Sequence, residues 1–216
     1  MVRLVANYHP QHKVSDAQVL AALRRVPRHE FVPLAVKPLA YDDMPLPIGE
    51  GQTISQPFMV GYMTQWLELK PSDRVLEVGT GSGYHAAVLS HLASEVYTVE
   101  IVPSLGNKAK RLLDRLGYRN VFVRIGDGYQ GWPDKAPFDA IVVTCAPEHV
   151  PEPLVRQLKR GGRMMIPVGA PVGSGAPQQL YLVRKTDEGL KTERKLDVRF
   201  VEMTGEAKIR VKLEGR

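Results

Sequence analysis

The alternation between Arg74 and Val168 constrains this chain more than any other feature. Arg74–Val78, Val96–Val99, Val121–Ile125, Ala140–Val143 and Arg163–Val168 are short apolar runs of strand length. Between them lie stretches with helical spacing: Tyr84 to Leu92, Leu105 to Leu116 with Leu112, Leu113 and Leu116 facing inward, and Pro151 to Leu158, which Gly161-Gly162 is expected to end. Strands separated by helices fold as a parallel sheet with right-handed crossovers. The expected architecture is α/β: a Rossmann-like, doubly wound, mostly parallel sheet with helices on both faces.

The flanks read differently. Ser15 followed by Gln18 resembles a capping box, and Val19, Leu20, Leu23 and Val26 then share one helical face before Pro27. Residues 41–56 are rich in Pro, Gly and Asp without a period, which predicts a long loop, and a loop of that length in a compact domain is usually functional. A helix resumes near Pro57, with Met59, Met63, Trp66 and Leu67 expected inward. After the last strand, Gln179–Val183 alternates, Asp187-Glu188-Gly189 signals a turn and Leu190–Val201 is strand-like, a C-terminal antiparallel hairpin.

The 216 residues suit a single domain: 1–70 as N-terminal helices and a site loop, 71–170 as the core, 171–216 as hairpin and tail. No run of about 18 apolar residues is present, and the start Met1–Val5 lacks signal-peptide features, so a cytoplasmic protein without membrane contact is expected. Cys145 is the single cysteine, which excludes an intrachain disulfide and a thiolate-rich zinc site; no metal is expected. The net charge is +6, but the basic residues are scattered among acids and apolar positions, which favours a solvated surface over a nucleic-acid patch.

The strongest local signal is Glu77-Val78-Gly79-Thr80-Gly81-Ser82-Gly83, after one strand and before one helix. Glycines there allow a tight turn and let a ligand touch backbone. A nicotinamide-dinucleotide fingerprint would need its third glycine at the position of Tyr84; with Gly83 instead, the spacing is that of S-adenosylmethionine enzymes. Glu100 ends the second strand, where a carboxylate can accept from both ribose hydroxyls, and Asp127, in Gly126-Asp127-Gly128, ends the third, where it or a nearby backbone group can read an adenine amino group. Taken singly, these could be an ordinary strand–helix turn, a capping acid before Pro103 and a turn aspartate. Together, at the carboxyl ends of neighbouring strands, they point to a nucleoside site.

The segment Gly51-Gln52-Thr53-Ile54-Ser55-Gln56-Pro57 resembles the signature of the protein-L-isoaspartate O-methyltransferases. The likeness continues through Leu76–Tyr84, Gly126–Gly128, Phe138–Ile141, Leu158–Arg163 and Ile166–Gly169, in order, across most of residues 15–205. The resemblance implies S-adenosylmethionine as methyl donor and the free α-carboxylate of isoaspartyl residues in damaged proteins as acceptor, the ester closing to a succinimide whose hydrolysis restores some normal aspartate. It implies isoaspartyl proteins and peptides as partners; a monomer is expected. By the same resemblance, Ser55 matches the active-site serine, Thr53 and Ile54 line the donor pocket, and Glu77, Gly79, Gly81, Glu100, Asp127 and Gly128 match cofactor positions. Val201–Gly205, with Thr204, matches a segment bordering substrate and cofactor. Two departures fall near the peptide groove: Glu202 where proline is usual, and Thr144-Cys145-Ala146-Pro147 where Gly-Ala-Ala-Pro is usual.

A carboxylate acceptor is ionised at neutral pH and needs no general base. That accords with six dispersed histidines (His9, His12, His29, His85, His91, His149), read as surface or loop residues, and with Cys145 as a small buried residue. The enzyme's task is then positioning, with residues 41–56 expected to act as a lid. Competing readings are a methyltransferase for RNA or a small metabolite, a non-catalytic nucleoside or protein binder, and a serine hydrolase. The first lacks the Asn/Asp-Pro-Pro-aromatic motif common in enzymes that methylate base nitrogens, the second is opposed by the intact Ser55 loop, and the third lacks a Gly-x-Ser-x-Gly elbow. A Gly-x-x-x-x-Gly-Lys-Ser/Thr loop is also missing, which argues against a nucleotide triphosphatase.

Overall fold

In the computed structural model, which describes residues 1–8, 12–170, 173 and 175–208, the predicted apolar runs become a seven-stranded sheet. Its parallel part is β3 (Arg74–Val78), β4 (Glu95–Glu100), β5 (Val121–Ile125), β6 (Phe138–Val143) and β7 (Leu158–Val168). The antiparallel hairpin β8 (Gln178–Thr186) and β9 (Gly189–Val198) continues it. The strand order is β5-β4-β3-β6-β7-β8-β9. Because the chain runs outward from β3 through β4 to β5 and then returns to β6 on the other side of β3, the order reverses there. Open sheets of this kind bind ligands at such a reversal, outside the carboxyl ends of the strands.

Helices α4 (Tyr84–Leu89), α5 (Pro103–Arg115) and α6 (Glu152–Gln157) are the crossovers. The sheet separates two apolar clusters, one containing Val75, Val96, Ala140, Val142 and Met165, the other Leu76, Val78, Val99, Ile141, Val143 and Met164. Neighbouring residues of one strand fall in different clusters because side chains alternate across the sheet.

The N-terminal third departs most from expectation. Helices α1 (Val2–Ala6), α2 (Ala17–Arg25) and α3 (Pro57–Trp66) pack together, and a small hairpin, β1 (Leu46–Gly49) with β2 (Gln52–Ile54), lies between the last two. The predicted long loop is therefore half hairpin: Leu46 and Ile48 are buried on alternate positions of β1 and Ile54 on β2. Prolines at 45 and 47 hide that period from composition. The α2 cap is Asp16, not Ser15; its carboxylate accepts from Gln18 N at 2.8 Å and Val19 N at 3.1 Å. On α3, Met63 and Leu67 are buried as expected, but Met59 and Trp66 are half-buried, while Phe58, Val60, Tyr62 and Thr64 are fully buried. That helix is enclosed nearly all round, so no single stripe marks its inner face.

Gly161-Gly162 does not end α6. The helix passes directly into β7, and the glycines lie inside that strand where its register against β6 shifts between Phe138 and Ala140. A Cβ on Gly162 would overlap Lys159 O and Asp139 O, so the bulge itself requires glycine.

Arg28 is fully buried and ties the N-terminal segment to the hairpin's approach. It donates from Nε to Ala40 O at 2.8 Å and from Nη2 to Met44 O at 3.5 Å, and it stacks 4.7 Å from the Tyr84 ring centroid.

Candidate functional site

One cavity gathers most of the residues singled out in the sequence. Its wall includes Thr53, Ile54, Ser55, Glu77, Gly79, Gly81, Glu100, Gly128 and Thr204. The site follows from the sheet: β3 delivers Glu77 and the glycine loop, β4 delivers Glu100, the turn after β5 delivers Gly128, and the segment after β6 delivers Thr144 and Cys145. The hairpin and Ser55 close one side; Val201–Thr204 close another, held there by Ala146 N donating to Val201 O at 2.8 Å and Met203 N to Ala146 O at 2.9 Å.

The glycine loop takes backbone conformations that side chains resist. Gly79 and Gly81 have φ of +96° and +51°. A Cβ on Gly79 would also overlap the Thr144 hydroxyl. That hydroxyl donates to Gly79 O at 2.7 Å, with Val78 O at 3.0 Å as a second acceptor. Thr144, one of the two departures, thus clamps the loop it faces. The other departure, Glu202, lines the cavity, forms an isolated parallel bridge with Ala146 and pairs with Lys208 Nζ at 2.7 Å.

Glu100 is 5% exposed; its Oε2 accepts from Gly81 N at 2.7 Å and its Oε1 from Val102 N at 2.9 Å. Each oxygen keeps a further lone pair for a ligand. Asp127 is placed differently. Its Oδ1 accepts from Tyr129 N at 2.9 Å and its Oδ2 from Glu206 N at 2.7 Å, so the carboxylate fastens the tail, while Gly128 rather than Asp127 forms the cavity wall.

Ser55 is half-buried on the cavity wall and is not the helix cap that its position suggests. The N-cap of α3 is Gln56, and the Phe58 N–H is taken by Asp43 Oδ1 at 2.7 Å; Asp43 Oδ2 accepts from the Gln56 amide at 3.1 Å.

Sequence reading names Glu77 but misses the buried polar partners that surround it behind the loop. Glu77 is 1% exposed. Thr98 donates to its Oε2 at 2.6 Å and is joined to Thr80 at 2.7 Å, while Oε1 has no hydrogen-bond partner among the described residues. Burial, with the Glu100 charge adding to it, pushes the Glu77 carboxyl up to about 8. His85, read from the sequence as a surface or loop residue, is instead 7% exposed, with Nδ1 4.0 Å from Glu77 Oε1 and Nε2 2.8 Å from Thr64 Oγ1. Burial pulls its imidazole down to about 3, so it is neutral. Its place on the first turn after Gly83 is the signal that marks it: helix residues there must border the loop. Cys145 is half-buried on the cavity wall rather than fully buried, and desolvation raises its thiol to about 12, which leaves it inert. His9 lies outside the described residues.

The acidic residues of the cavity wall are Glu77, Glu100 and Glu202, with no lysine or arginine among its described residues. On a chain of net charge +6, this is a locally acidic pocket that suits a cationic ligand. The fit to S-adenosylmethionine is good: a glycine cradle, an acid at each of two adjacent strand ends, and one orphaned buried carboxylate oxygen.

The protein-L-isoaspartate(D-aspartate) O-methyltransferase profile matches residues 2–208. The chain belongs to that family. It is 56% identical over 192 residues to "Protein-L-isoaspartate O-methyltransferase 2" of a Polaromonas species, covering 88% of this chain and 90% of the relative. It is 55% identical over 193 residues to the protein-L-isoaspartate O-methyltransferase of Gloeobacter violaceus, covering 89% and 93%. Among solved structures, a protein-L-isoaspartate O-methyltransferase superposes with TM-score 0.84 at 34% identity, covering 99% of this chain and 70% of that one. A Plasmodium falciparum structure in complex with S-adenosyl-L-homocysteine superposes with TM-score 0.78 at 26% identity, covering 94% and 97%. At the level of the family, the chain is an S-adenosylmethionine-dependent methyltransferase for isoaspartyl residues, and the expected sheet with its C-terminal hairpin is the family fold. Among the described residues no helix is long and apolar enough to cross a membrane.

Proposed function

We propose that the whole chain works as one methyltransferase domain, a cytoplasmic monomer without nucleic-acid or membrane partners, that methylates the free α-carboxylate of isoaspartyl residues in damaged proteins. The observation that carries this reading is the sharing of one acidic cavity by Ser55 and the glycine loop. S-adenosylmethionine, when bound, supplies the methyl group from a sulfonium centre. Gly79, Gly81 and Gly128 would let it touch backbone, Glu100 would take the ribose hydroxyls, and backbone groups beside Gly128 would take the adenine edge, with Asp127 supporting them from behind. Thr53, Ile54 and Thr204 would border the methyl donor and the peptide.

The acceptor carboxylate has an ordinary pKa near roughly 3.5, so it is ionised without help. The protein's part is to hold it. Ser55, released from capping duty by Asp43, donates its hydroxyl to one carboxylate oxygen and leaves the other free to react. The enclosing hairpin and tail exclude water, which would otherwise solvate the carboxylate and weaken its attack. A general base at His85 has little to offer: an imidazole pulled down to about 3 is a weak base, and no proton needs removing. The ester closes to a succinimide after release, without further groups from the protein.

Ser55→Ala tests the assignment. A hydrogen bond to a charged group contributes about 1.5–3 kcal/mol, so kcat/KM should fall roughly 10- to 150-fold. Affinity for S-adenosylhomocysteine should stay unchanged. Methyl label found on the enzyme before the peptide, or unaltered kinetics, would overturn the role.

A further inference from the structure

Two buried acceptors face each other beside the glycine loop. Thr64 Oγ1 lies 2.7 Å from Val60 O and 2.8 Å from His85 Nε2. A hydroxyl has one hydrogen, and a carbonyl can only accept, so Thr64 donates to Val60 and accepts from His85. His85 therefore carries its hydrogen on Nε2, and Nδ1 presents a lone pair to Glu77 Oε1, 4.0 Å away. Thr98 occupies Glu77 Oε2, so Oε1 is the open oxygen, and it has no hydrogen-bond partner among the described residues. Both residues line the cavity.

We propose that His85 is a cofactor-binding residue, whose unprotonated Nδ1 and the free Oε1 of Glu77 together accept hydrogen bonds from the primary ammonium group of the methyl donor and its product. Two acceptors 4.0 Å apart can both be reached by one tetrahedral nitrogen at ordinary hydrogen-bond distances of about 2.9 Å. A neutral imidazole suits this task, because an imidazolium would repel the ligand.

Binding then has a proton balance. The groups around the pair are Tyr84 and His85 on α4, Thr64 on α3, Thr98 and Glu100 on β4, and Thr144 and Cys145 after β6, with no lysine or arginine among the described residues of the cavity wall. Burial and the Glu100 charge keep Glu77 protonated up to about pH 8. An ammonium group arriving at Oε1 replaces that proton, which leaves to solvent. The ligand keeps its three N–H bonds, and one charge pairs with one.

The inference rests on the cofactor reading above, and the experiment separates the two. S-adenosylhomocysteine is titrated calorimetrically into the whole protein at pH 7 in two buffers of different protonation enthalpy. Close to one proton should be released per site, falling towards none above about pH 9. Binding without proton release sinks this inference alone; no binding sinks the cofactor reading with it. His85→Phe should weaken S-adenosylhomocysteine about tenfold or more, yet leave unchanged an analogue with hydrogen in place of the amino group. His85→Asn, which restores an acceptor near Nδ1, should recover much of the loss. Equal losses for both ligands would make His85 a packing residue. Should the phenylalanine variant fail to fold, the proton count and the nitrogen shifts of the His85 ring in the unaltered protein still decide: a doubly protonated ring or a hydrogen on Nδ1 contradicts the proposal.

Discussion

The Asp43 carboxylate accepts the backbone N–H of Phe58 at 2.7 Å, so the segment before the hairpin holds the helix that follows Ser55. Its second oxygen holds Gln56 at 3.1 Å, which fixes the residue next to the serine as well. Asp43→Ala should cost about 1 kcal/mol of stability, the ordinary worth of a helix cap. It should also lower kcat several-fold with S-adenosylhomocysteine affinity unchanged, because Gln56 and Phe58, next to the serine, lose the acceptor that anchors them. Thermal unfolding and steady-state kinetics on the alanine and asparagine variants check this. Parent-like kinetics in a destabilised alanine variant would confine Asp43 to stability.

Glu100 links the glycine loop to the end of β4 through Gly81 N and Val102 N. Glu100→Ala should weaken S-adenosylhomocysteine by roughly 1–3 kcal/mol, since two ribose hydroxyls lose a charged acceptor and the loop loses its tether. Calorimetry showing no change would remove Glu100 from the site. Tighter binding of a nicotinamide dinucleotide than of S-adenosylhomocysteine would overturn the ligand class.

Glu77 makes folding stability depend on pH in a stated direction. Its carboxyl is raised from 4.5 to about 8 by burial, so the folded state binds the proton more tightly than the unfolded chain does. The stability this gives is fully present below pH 4.5 and is lost as pH rises to about 8. His85 acts on the opposite side: lowered from 6.5 to about 3, it costs stability as pH falls below 6.5. Glu77→Gln removes the first effect. The melting temperature of that variant relative to the parent should climb from pH 5 to 8 and then level off. A flat or falling difference would mean that Glu77 is ionised in the folded protein.

Residues 74–168 are legible because short apolar runs alternate with helical patterns after β3, β4 and β6, and the acids at the ends of β3 and β4 mark where a ligand sits. The hairpin at 46–54 is not, because Pro45 and Pro47 read as loop while Leu46, Ile48 and Ile54 face the core. Ser15 looked like a cap because Gln18 stands three residues on; Asp16 takes the role since its carboxylate reaches both Gln18 N and Val19 N. The glycine loop is legible from local spacing, and Ser55 from the likeness of Gly51–Pro57 to the family signature. His85, Thr64 and Thr98 are not, because their meeting at Glu77 is made by three different elements. Asp127 shows the converse: its place at a strand end was read correctly, but its oxygens serve the tail.

The central claim is that this cavity methylates an isoaspartyl carboxylate held by Ser55. Matched peptides that differ only in an isoaspartyl or aspartyl linkage, incubated with the protein and S-adenosylmethionine labelled in the methyl group, test it directly. The isoaspartyl peptide exposes its α-carboxylate and the aspartyl peptide its β-carboxylate, each on a differently routed backbone, so a groove holding peptide on both sides can reject one by shape. The account predicts labelled methyl ester on the isoaspartyl peptide and little or none on the aspartyl one. Equal labelling of both peptides, or label on neither, would contradict it.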